Sequence, residues 1–256
     1  MKQEGIVVIL SRGPVIGPMV YSAAYCTKKD SENLKEMFKV DDSKTLNVEQ
    51  RDKIFEKMTK HNKTIKNNLI IIGAHELSTK MLKIEKYNLN LISHDAAIEL
   101  IRQSNKQIQD IGGILSEVYI DTVGDPKKYQ TKVEYEFPEI KIVVSKKADS
   151  LFPIVSAASI FAKVTRDKCV SDLGKTHGSG YPSDPKTVEW ISKNRDPIFG
   201  FPHNFIRFSW STITKVIDDD VKVDWSDDED YTEPTINRDT FFQEKRMDYT
   251  SNKDFY

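Results

Sequence analysis

The chain has 256 residues, 38% of them hydrophobic and 30% charged, and a formal net charge of −1 at pH 7, which describes a polar globular protein. Its two cysteines, Cys26 and Cys169, lie far apart without metal-binding spacing, which argues against a disulfide scaffold or zinc module and favours a reducing compartment. The apolar runs are too short for a signal peptide or a membrane span, so we expect neither a secreted nor a membrane-spanning protein.

The net charge conceals two oppositely charged parts. Residues 218–256 contain 13 Asp and Glu against 5 Lys and Arg, so the part before them is positively charged. We predict a folded domain over 1–217, ending in helices, and an acidic, flexible tail over 218–256. A basic body can bind a polyanion, and a solvated surface beside a disordered tail explains the same charges equally well.

The first part of the chain predicts two strands, then helices, then a third strand. β-Branched apolar residues over 5–10 and Met19–Thr27 indicate strands, and the Gly and Pro residues between them indicate a tight turn. Helical spacing follows over 31–38, and an Asn cap begins a helix predicted over 47–60. The apolar run at 68–73 predicts a buried strand.

The second part alternates helices and strands. A Ser cap and apolar spacing predict an amphipathic helix over 93–110, and short apolar runs predict strands over 117–121 and 141–145. A Pro in its first turn begins a helix predicted over 153–170. Two further helices are expected over 185–193 and 209–216. This order predicts an α/β fold with a mixed sheet covered by helices.

Two aspartates follow predicted strands. Asp121 ends the strand over 117–121, and Asp149 lies between the strand over 141–145 and the next helix. Carboxylates at the ends of neighbouring strands are typical ligands of Mg²⁺. Alternatively, Asp121 is a turn residue and Asp149 caps the helix, because loops are rich in aspartate. The residues by themselves leave both interpretations open.

Two other segments are candidate contacts for a nucleotide. The loop GSGYPSDP over 178–185 holds Tyr181 after a glycine, where the ring can stack on a base or sugar, or simply pack over its own loop. Lys44 lies between two predicted helices, where it meets a phosphate or stays in solvent. The five histidines show no metal-ligand spacing, and we interpret them as surface or capping residues.

Six segments together resemble one family. They are DSKTL at 42–46, YNLNLISHD at 87–95, YIDTVGDPKKYQ at 119–130, KKADSLFPIVSAASIFAKVTRD at 146–167, GSGYPSDPKT at 178–187, and FGFP with RFSW at 199–210. In this order they resemble the type 2 ribonuclease H family, and they are most similar to the catalytic subunits of its eukaryotic three-subunit members. The resemblance implies a ribonuclease H-like fold, a mixed five-stranded sheet with helices on both faces and a helical C-terminal extension.

The resemblance also implies a reaction. Members of the family cut the RNA strand of RNA–DNA hybrids and nick DNA at single ribonucleotides, and four carboxylates hold two divalent ions, Mg²⁺ or Mn²⁺. Two of these carboxylates fall on Asp121 and Asp149. The substrate-binding residues fall on Arg12, Gly13, Lys44 and Tyr181. In the family the arginine turn and the tyrosine read the ribose 2′-OH at the junction, and the lysine lies near a phosphate.

The chain departs from the family on its first strand. The other two carboxylates form an Asp-Glu pair before a Gly-Arg-Gly turn, and Val8 and Ile9 occupy those positions here, while Ser11 replaces the first glycine. Two aspartates do not neutralise two Mg²⁺ ions beside a phosphate, so reduced metal occupancy and reduced activity are implied. The chain is either a catalytically impaired hybrid-binding or scaffolding subunit, or a nuclease whose first ten residues are misassigned, for example at an exon boundary.

The resemblance further implies partners and a compartment. The expected ligands are an RNA–DNA hybrid and duplex DNA that contains ribonucleotides. Two accessory subunits in a heterotrimer, no membrane, and a location in the nucleus are also expected. A small-molecule α/β enzyme is the competing class, and the lack of a Gly-rich phosphate loop in the sequence disfavours it.

Overall fold

The computed structural model describes residues 4–40, 46–83, 87–121, 125–145, 148, 152–174, 176–196, 200–201 and 204–217, with the backbone alone at 4, 6–12 and 217. The tail over 218–256 lies outside the described residues, so the division of the chain at 217 stays a prediction. Within the described ranges, no helix is both long enough and apolar enough to cross a membrane.

The strands form one mixed sheet in the described part of the chain. They are β1 (Glu4–Arg12), β2 (Met19–Thr27), β3 (Ile65–Ile72), β4 (Ile114–Asp121) and β5 (Lys141–Ser145). Their order is β3-β2-β1-β4-β5. β1 is antiparallel to β2 and parallel to β4, which is parallel to β5. β1 is therefore the central strand, and the carboxyl ends of β1, β4 and β5 lie at the same edge of the sheet.

Helices cover both faces of this sheet. They are α1 (Lys28–Phe38), α2 (Val48–Lys60), α3 (Ala74–Leu82), α4 (Leu89–Asp110), α5 (Pro126–Glu136), α6 (Pro153–Asp172), α7 (Pro185–Lys193) and α8 (Ser211–Ile217). Because successive strand residues point to opposite faces, β2 contributes to two cores. Ala24 and Cys26 pack with α1, α2 and α6, while Tyr21, Ala23 and Tyr25 pack with α4 and α5.

The structure contains two helices that the sequence analysis did not predict, α3 and α5. The start of α5 carries a clear signal, because the Asp125 side chain accepts a hydrogen bond from the Lys127 N–H and Pro126 occupies the first turn. α1 and α4 also begin earlier than predicted, because Thr27 and Asn88 cap them. β3 and β4 are longer than predicted, since pairing with neighbouring strands decides where a strand begins.

The C-terminal helices pack against the turn that follows β1. Val15 and Ile16 of this turn share a buried core with Ile191 of α7, Ile206, and Ile213 of α8. The predicted helical extension is therefore attached to the first loop of the chain, at the carboxyl end of the central strand.

Candidate functional site

Asp121 lies at the carboxyl end of β4, next to the central strand. It is paired with Ser145, the last residue of β5, and its side chain is partly buried. The Asp121 carboxylate (Oδ1) accepts a hydrogen bond from the backbone N–H of Ala148 at 3.1 Å. Through this hydrogen bond Ala148 is in direct contact with Asp121. Asp149, the next residue after Ala148, lies outside the described residues. A shared role for the two aspartates stays a prediction.

The register of β1 defines the positions that lack carboxylates. Val8 lies opposite Tyr119 of β4, and Ile9 lies opposite Ile120, the residue before Asp121. With a rise of 3.3 Å per residue and strands about 4.8 Å apart, the Cα of position 9 lies roughly 6 Å from that of Asp121, and position 8 roughly 8 Å. Successive strand residues point to opposite faces, so acids at these two positions would lie on opposite faces of the sheet, and only one of them would share the face of Asp121. Val and Ile offer no ligand atom at either position.

The donor set of the chain therefore does not fit two divalent ions. The resemblance implies four carboxylates for such a pair, and two of the implied positions carry hydrocarbon side chains here. Among the residues whose placement is described, no group of three or more His, Cys, Asp or Glu is placed to hold a metal ion.

The turn after β1 (the 13–18 turn) is hydrogen-bonded to the loop before α7 (the tyrosine loop, 176–184). The backbone carbonyl of Gly180 accepts hydrogen bonds from the N–H of Val15 at 2.8 Å and from the N–H of Ile16 at 3.1 Å. Two segments more than 160 residues apart in sequence therefore meet at the end of the central strand.

The structure places the predicted substrate-binding residues as follows. Arg12 is the last residue of β1 and is paired with Val20 of β2. Gly13 begins the 13–18 turn, and Tyr181 lies in the tyrosine loop that is hydrogen-bonded to this turn. Substrate binding by these residues stays a prediction. Lys44 lies outside the described residues.

Arg207 stabilises the 13–18 turn through two hydrogen bonds. Its side chain is fully buried, its Nη1 donates to the Pro14 carbonyl at 3.1 Å, and its backbone N–H donates to the Val15 carbonyl at 3.1 Å. A Cβ at Gly13 would lie 2.9 Å from the Arg207 Nη1, so this position has no room for a side chain. Burial lowers the pKa of the guanidinium to about 10, which still leaves Arg207 charged at neutral pH.

The tyrosine loop is fixed by side chains at the start of α7. The Thr187 hydroxyl accepts from the Gly180 N–H at 3.0 Å and donates to the His177 carbonyl at 2.8 Å. The Asp184 carboxylate accepts from the Ser179 N–H at 2.7 Å. These contacts restrict the backbone on both sides of Tyr181.

Acid should loosen the tyrosine loop through Asp184. The backbone N–H of Ser179 is the main cause that lowers the Asp184 pKa from 3.8. Because the folded pKa is lowered, this stabilisation is complete above about pH 3.9 and is lost as the pH falls through the folded pKa. Urea unfolding at neutral pH and at acidic pH should therefore show a smaller acid-induced loss of stability for Asp184→Asn than for the wild type.

Asp125→Asn is the matched control for that measurement, because Asp125 caps α5 through the Lys127 N–H and lies outside the tyrosine loop. Tyrosine-loop order can be followed in the same samples by hydrogen exchange of the Ser179 amide. An acid-induced loss that is equal in Asp184→Asn and the wild type would contradict the prediction.

The sequence analysis missed several residues that hold the site together. Arg207 and Thr187 lie within the family-like segments RFSW and DPKT, but their roles depend on contacts that no spacing reveals. Asp184 followed by Pro185 was a readable helix start. The interpretation of all five histidines as surface or capping residues is wrong for His177, which is 2% exposed and packs edge-on against Trp190.

Comparison with known proteins places these features in a family. Residues 10–213 match the model of the family described as Ribonuclease HII. A ribonuclease H2 subunit of Arabidopsis thaliana is 47% identical over 227 residues, which cover 85% of this chain and 74% of that protein. The corresponding ribonuclease H2 subunit of Mus musculus is 45% identical over 233 residues, which cover 87% of this chain and 75% of that protein. The crystal structure of the ribonuclease H2 from Pyrococcus horikoshii OT3 matches with a TM-score of 0.70 and 29% identity, covering 84% of this chain and 97% of that one.

Proposed function

From the premise that the chain belongs to the ribonuclease HII family of ribonuclease H hydrolases, we propose that it is a catalytic-type ribonuclease H2 subunit that binds its substrate normally and cleaves it slowly. One observation carries this proposal: the two segments that hold predicted substrate contacts are hydrogen-bonded to each other, whereas two of the predicted carboxylate positions hold apolar residues. The 13–18 turn and the tyrosine loop are hydrogen-bonded together, whereas Asp121 adjoins two apolar positions on β1.

The proposed substrates are the RNA strand of RNA–DNA hybrids and single ribonucleotides in duplex DNA. Arg12, Gly13 and Tyr181 would contact the ribose 2′-OH at the RNA–DNA junction, and Lys44 a nearby phosphate. The hydrogen bonds that fix the 13–18 turn and the tyrosine loop support this assignment, because reading one hydroxyl requires groups held in a fixed position.

The proposed chemistry is the two-metal hydrolysis of the family, in which Mg²⁺ or Mn²⁺ ions activate water and stabilise the leaving oxygen. Asp121 and Asp149 would be the remaining ligands. Because the side chains of Val8 and Ile9 carry no oxygen, the residues of this chain would hold a divalent ion only weakly. We therefore assign no step of hydrolysis to a bound ion. The chain as written should therefore bind substrate much better than it cleaves it.

The proposed setting is a complex in the nucleus. The relatives at 47% and 45% identity are each named as one subunit of ribonuclease H2, which supports assembly with accessory subunits, two of them in our proposal. A protein that binds hybrids or scaffolds such a complex without cleaving is the alternative function, and the apolar residues at positions 8 and 9 favour it.

Binding should be salt-sensitive and should depend on Tyr181 for junction preference. We expect roughly micromolar affinity for a hybrid duplex, falling steeply between 50 and 200 mM salt because lysines displace counterions from the phosphates. Tyr181→Ala should reduce the preference for a duplex with one ribonucleotide over an all-DNA duplex more than it reduces overall affinity. Fluorescence anisotropy with labelled duplexes measures both quantities.

Tyr135→Ala is the control, because Tyr135 is 85% exposed on α5 and its loss should leave the preference unchanged. An equal loss of affinity for both duplexes in Tyr181→Ala would remove Tyr181 from the proposed site. Rapid cleavage by the unmodified chain would contradict the proposed loss of activity.

A further inference from the structure

Arg166 of α6 covers the ring of Tyr181. The guanidinium carbon (Cζ) lies 4.4 Å from the centre of the ring, the distance of a cation–π contact. Arg166 is 7% exposed, whereas Tyr181 is partly exposed. A buried cation therefore supports the ring that the proposed function assigns to the substrate.

The Arg166 guanidinium makes two further polar contacts. Its Nη1 donates to the Ser179 carbonyl at 3.3 Å, and its Nη2 forms an ion pair with Asp167 at 2.7 Å. A planar guanidinium with both terminal nitrogens engaged has little freedom to turn, so the surface that it presents to the Tyr181 ring is fixed.

Asp167 links Arg166 to α2. Asp167 also lies 3.8 Å from the Nη2 of Arg51, and the Nη1 of Arg51 donates to the Leu46 carbonyl at 2.8 Å. Leu46 is two residues after Lys44, the proposed phosphate contact. An unbroken set of polar contacts thus runs from the tyrosine loop across α6 to the start of α2.

We propose that Arg166 is a positioning residue for junction recognition: it holds the Tyr181 ring in the one orientation that meets the ribose, and Asp167 and Arg51 hold Arg166. This inference deepens the proposed function and rests on it. Arg166 acts through Tyr181 and is not itself placed in contact with substrate. A purely structural role, in which Arg166 only ties the Ser179 carbonyl to α6, is the competing explanation.

Arg166→Lys separates these two roles, because lysine keeps the charge and can still donate to Ser179, but it lacks the planar guanidinium. We expect its preference for a duplex with one ribonucleotide over an all-DNA duplex to fall ~3-fold, because the ammonium keeps part of the cation–π attraction. Affinity for the all-DNA duplex should stay within about 2-fold. In a Tyr181→Leu background, the same substitution should cause no further loss of preference.

Lys168→Met is the matched control, because Lys168 lies on the same helix with its Nζ 4.5 Å from the centre of the Phe55 ring, outside the proposed site. It should leave the preference unchanged. Asp167→Asn is the second variant, since releasing the ion pair should lower the preference in the same direction even if Arg166→Lys unfolds. Thermal unfolding of each variant establishes that it is folded.

An unchanged preference in folded Arg166→Lys, or an equal loss in the Tyr181→Leu background, would overturn the positioning role and leave the proposed function standing. An unmodified chain without any preference for the ribonucleotide-containing duplex would overturn the proposed function, and the positioning role with it.

Discussion

The variant Val8→Asp/Ile9→Glu/Ser11→Gly should nick DNA at an embedded ribonucleotide at least ~10³-fold faster than the unmodified chain, with accessory subunits supplied and in a metal-dependent manner. This is the scale of restoring principal electrostatic groups to an active site. The register of β1 with β4 puts the two new acids beside the carboxyl end of β4, one on each face of the sheet, and Ser11→Gly restores the family's turn. A gel assay on a duplex with one labelled ribonucleotide measures the rate.

The folded stability of the same variant gives an independent readout. Clustered carboxylates repel one another, so the metal-free variant should melt at a lower temperature than the unmodified chain and should recover with Mg²⁺ or Mn²⁺. Val8→Asn/Ile9→Gln/Ser11→Gly is the control: it has similar size and polarity without charge, and it should show neither metal recovery nor cleavage. A folded acidic variant that stays inactive with its partners would refute the expected repair.

Gly180→Ala should destabilise the contact between the tyrosine loop and the 13–18 turn. Gly180 has φ +78°, and an added Cβ would lie 2.7 Å from the Ile16 carbonyl oxygen. The left-handed backbone costs about 1 kcal/mol for alanine. Moving the loop away would break the two hydrogen bonds to Val15 and Ile16, at about 1 kcal/mol each. We therefore expect a free energy of unfolding lower by about 3 kcal/mol, together with loss of junction preference.

Gly112→Ala isolates the cost of the left-handed backbone from the cost of the contact with Ile16. Gly112 has φ +77°, and nothing lies within 4 Å of an added Cβ. Its substitution should cost only about 1 kcal/mol and should leave junction preference intact. Urea unfolding measures both variants, and equal costs at the two glycines would show that contact with the 13–18 turn does not matter.

The sequence by itself determined the family and the order of most elements. The six segments required only residue identity in the right order, and the resemblance predicts, without any coordinates, that Val8 and Ile9 stand where the family has two acids. Strands such as β2 and helices such as α2 and α6 follow from apolar spacing and capping residues, which are local properties of the chain. α3 and α5 were not predicted, although Asp125 and Pro126 mark the start of α5.

Only the tertiary structure decided how the segments proposed to bind substrate are held together. The contact from Arg207 to Pro14 joins residues 193 positions apart, and it ends on a backbone carbonyl that any residue would present there. The same holds for the Gly180 carbonyl that accepts from Val15 and Ile16. Such contacts leave no pattern in spacing or composition, because the acceptor atoms carry no residue identity and packing of the three cores brings them together. The placement of Arg166 against Tyr181 likewise follows from where α6 crosses the sheet, and not from either residue's neighbours in the chain.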